Sequence, residues 1–319
     1  MPLHLHIGAP VSAPFDEQLA FIARAETLGL DGVGLAEDAR FGDPFATLSA
    51  AADQTSRIWL YPAVTNPITR TPSQQATLIR ALAERAPGRV KLAIGTGDAA
   101  LVASGRSPAR LATLRKAVLD IREALSDGSI ALFDRIPAGT PQLLLPPPIA
   151  MAASGPKTLE AAAEVADEVL VTSGLALEAR TAVTEAIAEG AMRAGRRARA
   201  VPITYYTLVS IDPDRELAIE RTRPWIHFWL QRRMFKLSLK AMSTPVPPFA
   251  EPGNIPAGFL RTAANTLVLA GTPLEVAAKV ARLEEDGVRT LFCMLPGGPK
   301  QHVEGLDLIA AHLLPAAHG

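Results

Sequence analysis

The sequence has 319 residues, in which 32 Lys and Arg residues balance 32 Asp and Glu residues. This neutral balance leaves no basic surplus for nucleic-acid binding, and the single cysteine, Cys293, excludes a disulfide framework and a cysteine-based zinc site. No stretch approaches the length of about 20 uninterrupted apolar residues that a membrane-spanning helix needs. We therefore expect a cytoplasmic protein that binds neither membrane nor nucleic acid.

Short apolar runs, typical of buried strands, alternate along the chain with longer amphipathic runs, typical of helices. The first part predicts strand 3–9, helix 15–30, strand 32–37, helix 43–56, strand 57–64, helix 72–88, strand 89–97 and helix 107–128. The second part predicts strand 147–153, helix 155–166, strand 167–173, helix 176–195, strand 198–211, helix 272–287, strand 288–297 and helix 302–314.

Eight predicted strands, most of them followed by a helix, indicate an α/β protein with parallel strands and crossover helices. Eight such units over roughly 250 core residues favour a closed (β/α)8 TIM barrel, with a doubly wound open sheet as the competing architecture. Residues 129–146 and 212–271 interrupt the repeat. We interpret them as insertions after strands 4 and 7 of a single domain, residues 1–319.

The second insertion contains the aromatic stretch "PWIHFWLQRRMF". Helical spacing places Trp225, Phe228 and Trp229 on one face. Two interpretations remain open: a core or dimer contact, or the wall of a substrate pocket with His227 as a candidate acid. The histidines do not pair with carboxylates at a ligand spacing, so no metal site is expected.

In a parallel barrel, ligands bind at the carboxyl ends of the strands, so the residues that follow each strand are the functional candidates. Small and polar residues collect there. They are Glu37, Asp38, Thr65, Asn66, Gly97, Asp98, Ser154, Gly155, Pro156, Lys157, Thr172, Ser173 and Gly174.

Two of these loops suit an anion. Ser154 and Gly155 precede a helix with Pro156 in its first turn, where the free N–H groups and the helix dipole favour phosphate and Lys157 adds charge. Thr172–Gly174 forms a second donor-rich loop after the next strand. The alternative is a helix that is simply capped at its N-terminus.

The stretch "GTGD" after strand 4 lacks the third glycine of a dinucleotide fingerprint. It predicts either a tight turn or a loop whose backbone passes close to a flat ligand, with Asp98 accepting hydrogen bonds.

Three motifs, "AVTNPITRTP", "KLAIGTGDAAL" and "GPKTLEAAAEVADEVLV", resemble in order and spacing the bacterial-luciferase-like superfamily, and most closely its methylenetetrahydromethanopterin reductase branch. The similarity covers most of residues 1–200 and returns at 268–297. The resemblance implies a (β/α)8 barrel that binds F420 or FMN at its carboxyl rim. It also implies a bulge in strand 3 at Ala63–Val64, often with a non-prolyl cis peptide, that supports the central ring and is braced by Thr65–Pro67.

The resemblance further implies that Asn66, Gly97 and Asp98 face the ring or the ribityl chain, and that the loops 154–157 and 172–174 hold the phosphate. Basic candidates for the γ-glutamyl tail of F420 lie near the rim. They are Arg40, Arg70, Arg106 and Lys157.

By the same resemblance, the expected function is hydride transfer between a reduced flavin or deazaflavin and a small organic substrate. An FMNH2- and O2-dependent monooxygenase is the alternative. Many relatives carry a histidine or serine beside the acidic residue after strand 2, whereas this chain reads Glu37-Asp38-Ala39. Glu37 or Asp38 then acts as a general acid only if burial raises its pKa.

The missing histidine also supports a different class, a cofactor-free barrel that serves as a binding subunit. A phosphate-sugar aldolase or isomerase is disfavoured because no lysine follows strand 6. The expected partners are a small-molecule substrate, a separate flavin or F420 reductase, and further copies of the chain in a homodimer or higher homo-oligomer.

Overall fold

The computed structural model describes residues 2–38, 40–102, 105–126, 146–231, 236–241 and 249–314. The first predicted insertion, 129–146, lies outside these residues except for residue 146. The strands are β1 (His4–Gly8), β2 (Gly32–Leu35), β3 (Trp59–Pro62), β4 (Leu92–Ile94), β5 (Ile149–Ala153), β6 (Glu168–Val171), β7 (Ile203–Ile211), β8 (Leu269–Gly271) and β9 (Thr290–Met294).

The helices of the first part are α1 (Phe15–Leu28), α2 (Pro44–Ala52), α3 (Pro72–Arg85), α4 (Asp98–Val102), α5 (Leu111–Ser126), α6 (Pro156–Val165) and α7 (Leu177–Arg193). Those of the second part are α8 (Arg215–Glu220), α9 (Arg223–Leu230), α10 (Lys236–Ala241), α11 (Ala257–Leu267), α12 (Pro273–Glu285) and α13 (Pro299–His312).

Eight parallel strands follow one another in the order β3-β2-β1-β9-β7-β6-β5-β4. Parallel bridges from Leu60 to Val90 and from Thr65 to Ile94 join the first strand of this order to the last. The predicted (β/α)8 barrel is therefore confirmed, and the open sheet is wrong. The short strand β8 pairs with β7 outside the ring and was not predicted.

Helix starts follow local sequence signals. Thr71 and Gln74 form a capping box at α3, in which the Thr71 N–H donates to Gln74 Oε1 at 2.9 Å, and proline occupies the first turn. Thr272 and Glu275 repeat the arrangement at α12. These caps fix the residues at which α3 and α12 begin.

Three hydrophobic clusters share the interior. The first lies between the sheet and the surrounding helices. The second, which includes Leu208, Trp229 and Leu260, lies under the second insertion. The third fills the barrel with Tyr61, Phe292 and smaller apolar residues. The helices of the second predicted insertion thus pack on the barrel through a cluster that they share with Leu208 of β7.

None of the helices in the described part of the chain combines the length and the apolar composition that spanning a bilayer requires.

Candidate active site

The carboxyl ends of β2 to β5 are built from small residues. A Cβ atom added to Gly34 would lie 2.6 Å from Cβ of Ala63, and one added to Gly95 would lie 2.9 Å from Cγ2 of Val64. Larger residues do not fit there, because the strands approach each other too closely. Ala63, Val64 and Ala152 stay partly exposed and pack on the buried interior cluster. We call these three partly exposed apolar side chains the mouth floor.

The third strand ends as the resemblance implied. The peptide bond between Ala63 and Val64 is cis. Thr65 then rejoins the sheet, because its N–H donates to the Ala93 carbonyl at 3.0 Å and its carbonyl accepts from Gly95 N–H at 2.9 Å. Before the cis bond, the Ala63 N–H donates to the Leu35 carbonyl of β2 at 2.8 Å, so both neighbouring strands hold this part of the backbone.

Not all of the predicted ring contacts are accessible. Thr65 and Asn66 are fully buried, and Gly97 packs against Asn66 so closely that an added Cβ would lie 2.8 Å from Asn66 Cβ. Gly97 also has a φ of 81°, which favours glycine. Asp98, the first residue of α4, is partly exposed. Of the predicted contacts Asn66, Gly97 and Asp98, only Asp98 is exposed enough to meet a ligand without a movement of the loop.

The predicted acids after β2 are compensated by cations. Glu37 accepts from the Thr69 hydroxyl at 2.5 Å and from Arg70 Nε at 3.1 Å. Arg40 donates to both oxygens of Asp38, and this guanidinium holds the pKa of Asp38 below its ordinary value. This shift is opposite to the one that an acid role for Asp38 requires.

A cavity of about 710 Å³ opens beside these carboxylates, at the carboxyl ends of β2 and β3. Glu37, Asp38, Phe41, Thr69 and Arg70 belong to its lining. Among the described residues that line it, none comes from the predicted phosphate loops. The structure therefore places the predicted acids and the predicted phosphate loops on different sectors of the rim.

The two predicted phosphate loops do lie together. The Ser173 hydroxyl donates to the Ser154 carbonyl at 2.8 Å. Ser154 and Gly155 are partly exposed, but their N–H groups already donate to Oγ1 of Thr158, at 3.3 and 3.1 Å. An anion at this helix start would compete with the Thr158 hydroxyl for these donors. Pro156 and Lys157 are exposed, and Thr172 is partly exposed.

Helix α10 of the second insertion covers the back of this region. Its Ser238 hydroxyl donates to the carbonyl of Ser173, and both residues are fully buried. Gly174 is buried beside them with a φ of 86°. Sequence reasoning missed Thr158, which a Gly-Pro-x-Thr helix start signals, and Ser238, for which no local signal exists because the contact is long-range.

The aromatic face of α9 belongs mainly to the second cluster. Trp229 is buried, and its ring lies 6.0 Å from that of Trp225. Nε2 of His227 lies 3.0 Å from the carbonyl of Phe249 and from Nε2 of Gln231. His227 thus joins α9 to residue 249, and among the described residues it makes no polar contact with Glu37 or Asp38.

Tyr206 is a candidate that sequence reasoning missed. It lies opposite Phe292 in the pairing of β7 with β9, and its ring packs 6.0 Å from Phe292 and 6.1 Å from Trp229. It stays partly exposed, and its hydroxyl has no hydrogen-bond partner in the described part of the chain. Burial raises its pKa, so the phenol stays protonated at neutral pH. The alternation along β7 indicated a strand but not which face points inward.

The sequence pattern of the luciferase-like monooxygenase family matches residues 2–290. The chain belongs to this family. A 5,10-methylenetetrahydromethanopterin reductase of Methanolobus tindarius is 29% identical over 307 residues, which are 91% of this chain and 93% of the relative. An F420-dependent glucose-6-phosphate dehydrogenase of Nocardia farcinica is 29% identical over 291 residues, with 85% and 82% covered.

Solved structures of other proteins share the fold. The F420-dependent tetrahydromethanopterin reductase of Methanopyrus kandleri superposes with a TM-score of 0.82 at 23% identity, covering 99% of this chain and all of that one. The oxygenating constituent of 3,6-diketocamphane monooxygenase from Pseudomonas putida, in complex with FMN, gives 0.71 at 19% identity, covering 99% and 98%.

Membership in the family confirms the predicted enzyme class, an oxidoreductase or monooxygenase. The cofactor prediction, F420 or FMN, agrees with relatives that depend on F420 and with a structural neighbour that holds FMN. Within the described residues, no cluster of three or more metal-ligating side chains occurs.

Proposed function

We propose that this protein is an F420-dependent oxidoreductase that transfers hydride between the deazaflavin and a small organic substrate. The observation that carries the proposal is the mouth floor. Ala63, Val64 and Ala152 offer a partly exposed apolar surface at the carboxyl ends of the strands, where barrel enzymes bind ligands. The similarity to F420-dependent glucose-6-phosphate dehydrogenases, together with the fold shared with an F420-dependent tetrahydromethanopterin reductase, supports the choice of F420 over FMN.

The residues present fit a tricyclic cofactor with a phosphate-bearing chain. The accessible residues would contact the cofactor directly. The mouth floor would lie under the ring, and Asp98 would lie at the edge of the ring. The start of α6, Ser154–Lys157, and Thr172 would bind the phosphate. Thr65, Asn66, Gly97, Ser173 and Gly174 are buried and would support these groups from behind. When bound, the deazaflavin supplies the hydride chemistry that protein side chains lack.

Two of the four basic candidates for the γ-glutamyl tail are already engaged by carboxylates, Arg40 by Asp38 and Arg70 by Glu37 and Asp43. Arg106 donates to the Ile68 carbonyl and, like the exposed Lys157, has no carboxylate partner in the described ranges. We propose that Arg106 and Lys157 are the cations available to an anionic tail.

Tyr206 is the proton-bearing group that we assign to the substrate. Its hydroxyl is protonated and has no hydrogen-bond partner among the described residues, so it can donate a hydrogen bond to a substrate oxygen and stabilise the charge that develops there. Glu37 and Asp38 stay paired with Arg70 and Arg40 and shape the adjoining cavity. The predicted acid roles of Glu37, Asp38 and His227 remain alternatives that variants can test.

Fluorescence titration of the purified chain with F420 and, separately, with FMN tests the proposal. We expect F420 to bind at least about tenfold more tightly, a difference of about 1.4 kcal/mol. Gly155→Asp and Lys157→Ala should weaken binding, whereas Lys300→Ala, an exposed change on α13, should not. Binding of FMN alone, with oxygen uptake after reduction, would favour the monooxygenase, and binding of neither would favour the cofactor-free subunit.

The finer predictions about the assembly are part of this proposal. We propose a single-domain chain that forms a cytoplasmic homodimer or higher homo-oligomer and that receives reduced cofactor from a separate reductase. Light scattering at several protein concentrations measures the oligomeric state directly.

A further inference from the structure

Gln75 is a buried amide behind the bulge of the third strand. It lies in the second turn of α3 and is fully buried. Its Nε2 donates to the carbonyl of Asn66 at 3.2 Å and to that of Arg70 at 3.0 Å. Both partners are carbonyl oxygens, so the nitrogen must face them and Oε1 must face away. One side chain therefore clamps both ends of the turn 66–70.

Asn66 is fixed in the same way. Its Oδ1 accepts from the N–H groups of Ile68 and Thr69, each at 3.0 Å, so Nδ2 must point to the other side. Nδ2 of Asn66 and Oε1 of Gln75 are both buried, and neither has a partner in the described part of the chain. The neighbouring Thr65 hydroxyl is also without one. Three buried polar groups without a partner among the described residues thus lie on connected residues. Gln75 is hydrogen-bonded to Asn66, and Thr65 precedes Asn66 in the chain.

Buried polar groups in proteins are almost always satisfied, and ordered water is the usual partner where no protein group reaches them. An apolar ligand would leave all three atoms unsatisfied, and a charged ligand would have no counter-ion among these residues. Water can accept from an amide nitrogen and donate to an amide oxygen at the same time. The chemistry of the three atoms therefore matches water.

We propose that Gln75 is the positioning residue that shapes the turn 66–70, and that buried water satisfies Asn66 Nδ2 and Gln75 Oε1. By holding the turn 66–70, Gln75 thus fixes the positions of Asn66, which packs against Gly97, and of Thr69 and Arg70, which hold Glu37 beside the cavity. Its consequence for cofactor binding rests on the function proposed above.

Hydrogen exchange of the full chain without cofactor tests the positioning role. Gln75→Leu keeps the size of the side chain but removes both donors and the acceptor. The amides of Ile68 and Thr69 should then exchange at least about tenfold faster, because their acceptor, Asn66 Oδ1, is no longer held. Ile79→Val, a buried change on the same helix, is the control and should change these two amides by less than about twofold.

Titration with F420 and FMN gives the second readout. Gln75→Leu should raise the Kd of whichever cofactor the wild type binds by about fivefold or more, whereas Ile79→Val should leave it within about twofold. If Gln75→Leu does not fold, Gln75→Glu retains the length of the side chain without the amide donors and enters the same comparison. A folded variant with wild-type exchange at Ile68 and Thr69 would overturn the positioning role.

Wild-type protein that binds neither cofactor would contradict the proposed function but leave the exchange result intact, so the two failures are distinguishable. A crystal structure checks the water. We expect density for ordered water at about 3 Å from Asn66 Nδ2 and at about 3 Å from Gln75 Oε1. Absence of such density at these atoms would refute the buried water.

Discussion

The Nε atom of Arg70 lies 3.1 Å from Oε2 of Glu37, whose side chain is only 8% exposed. The same guanidinium reaches Asp43 at 2.5 Å, so it ties the loop after β3 to the loop before α2. Glu37 is thereby a partly desolvated carboxylate that depends on its partners. The acidic residues after β2 organise the mouth by accepting hydrogen bonds.

Arg70→Met should destabilise the protein by about 1–3 kcal/mol, because it leaves the carboxylate of Glu37 with the Thr69 hydroxyl as its remaining side-chain partner. Urea unfolding at neutral pH measures this change. Arg24→Met removes a pair of similar length, Arg24 with Asp307 at 2.7 Å, whose side chains are well exposed. That control should cost less than about 0.5 kcal/mol. Equal losses in the two variants would contradict the argument.

Gly97→Ala should be more harmful than Gly88→Ala, although both glycines have positive φ, 81° and 76°. The backbone penalty of about 1–2 kcal/mol is common to both. At Gly97 the new methyl group also meets Asn66 at 2.8 Å and Leu101 at 2.9 Å, whereas at Gly88 nothing lies within 4 Å. We expect an additional loss of about 1–3 kcal/mol and weaker cofactor binding for Gly97→Ala alone. Thermal unfolding and cofactor titration of both variants check this difference.

Tyr206→Phe should leave the stability within about 0.5 kcal/mol of the wild type, since the hydroxyl has no hydrogen-bond partner in the described residues. Tyr61→Phe is the matched control, because the Tyr61 hydroxyl bonds to Nδ1 of His6 at 2.8 Å inside the barrel. Its loss should cost about 1–2 kcal/mol.

The two variants should behave in the opposite way in catalysis. With any substrate that the wild type turns over, Tyr206→Phe should lower kcat by about 10²-fold or more, and Tyr61→Phe by much less.

Asp38→Asn should keep the wild-type pH profile, because the pKa of Asp38 is already lowered by Arg40. A pH profile that loses its alkaline limb in Asp38→Asn would assign the general-acid role to Asp38 instead.

His6 predicts a loss of stability in acid. Burial first, and then the charges of Lys91 and His4, hold the pKa of His6 well below its ordinary value of 6.5. Lys91 and Glu168, which pair at 2.7 Å, and Tyr61 lie around it in the barrel. The unfolded chain therefore binds a proton below pH 6.5 that the folded chain rejects, so the free energy of unfolding falls as the pH falls.

We expect this single group to remove about 1 kcal/mol between pH 6.5 and 5.5. His6→Gln should flatten the pH dependence by that amount, whatever its effect on stability at pH 7.5. Urea unfolding of both proteins at the three pH values provides the measurement. The pKa of His302 is also lowered by burial and contributes equally to both proteins. Parallel curves for the wild type and His6→Gln would remove His6 from the explanation.

The repeat of strand and helix was readable from the sequence because each element carries its own signal. The predicted start of α3 after Thr71 coincides with the observed one, since its cap lies within four neighbouring residues. The predicted helix 43–56 ends too late, because α2 stops at Ala52 and Asp53 caps it. The strand β8 was missed, since three residues carry too little pattern and its pairing with β7 is non-local.

The candidate site, like the fold, was predictable from the sequence only in part. The motif around Ala63 and Val64 indicated the bulge and its cis bond through family resemblance, and the order of the strands placed Ser154 beside Ser173. The burial of Asn66, the bonds that occupy Glu37, and the partial exposure of Tyr206 had no such local sign.

The sequence by itself determined the class of the protein, the barrel and the family of cofactors, and it predicted the end of the barrel at which the site should lie, because periodicity, caps and motifs are properties of neighbouring residues. Only the tertiary structure decided which of the rim residues are accessible, which acids are paired and which amides are left without partners. Those properties depend on distances between residues far apart in the chain, such as Gln75 Nε2 and the carbonyl of Asn66, which only closure of the barrel and packing of the helices bring together.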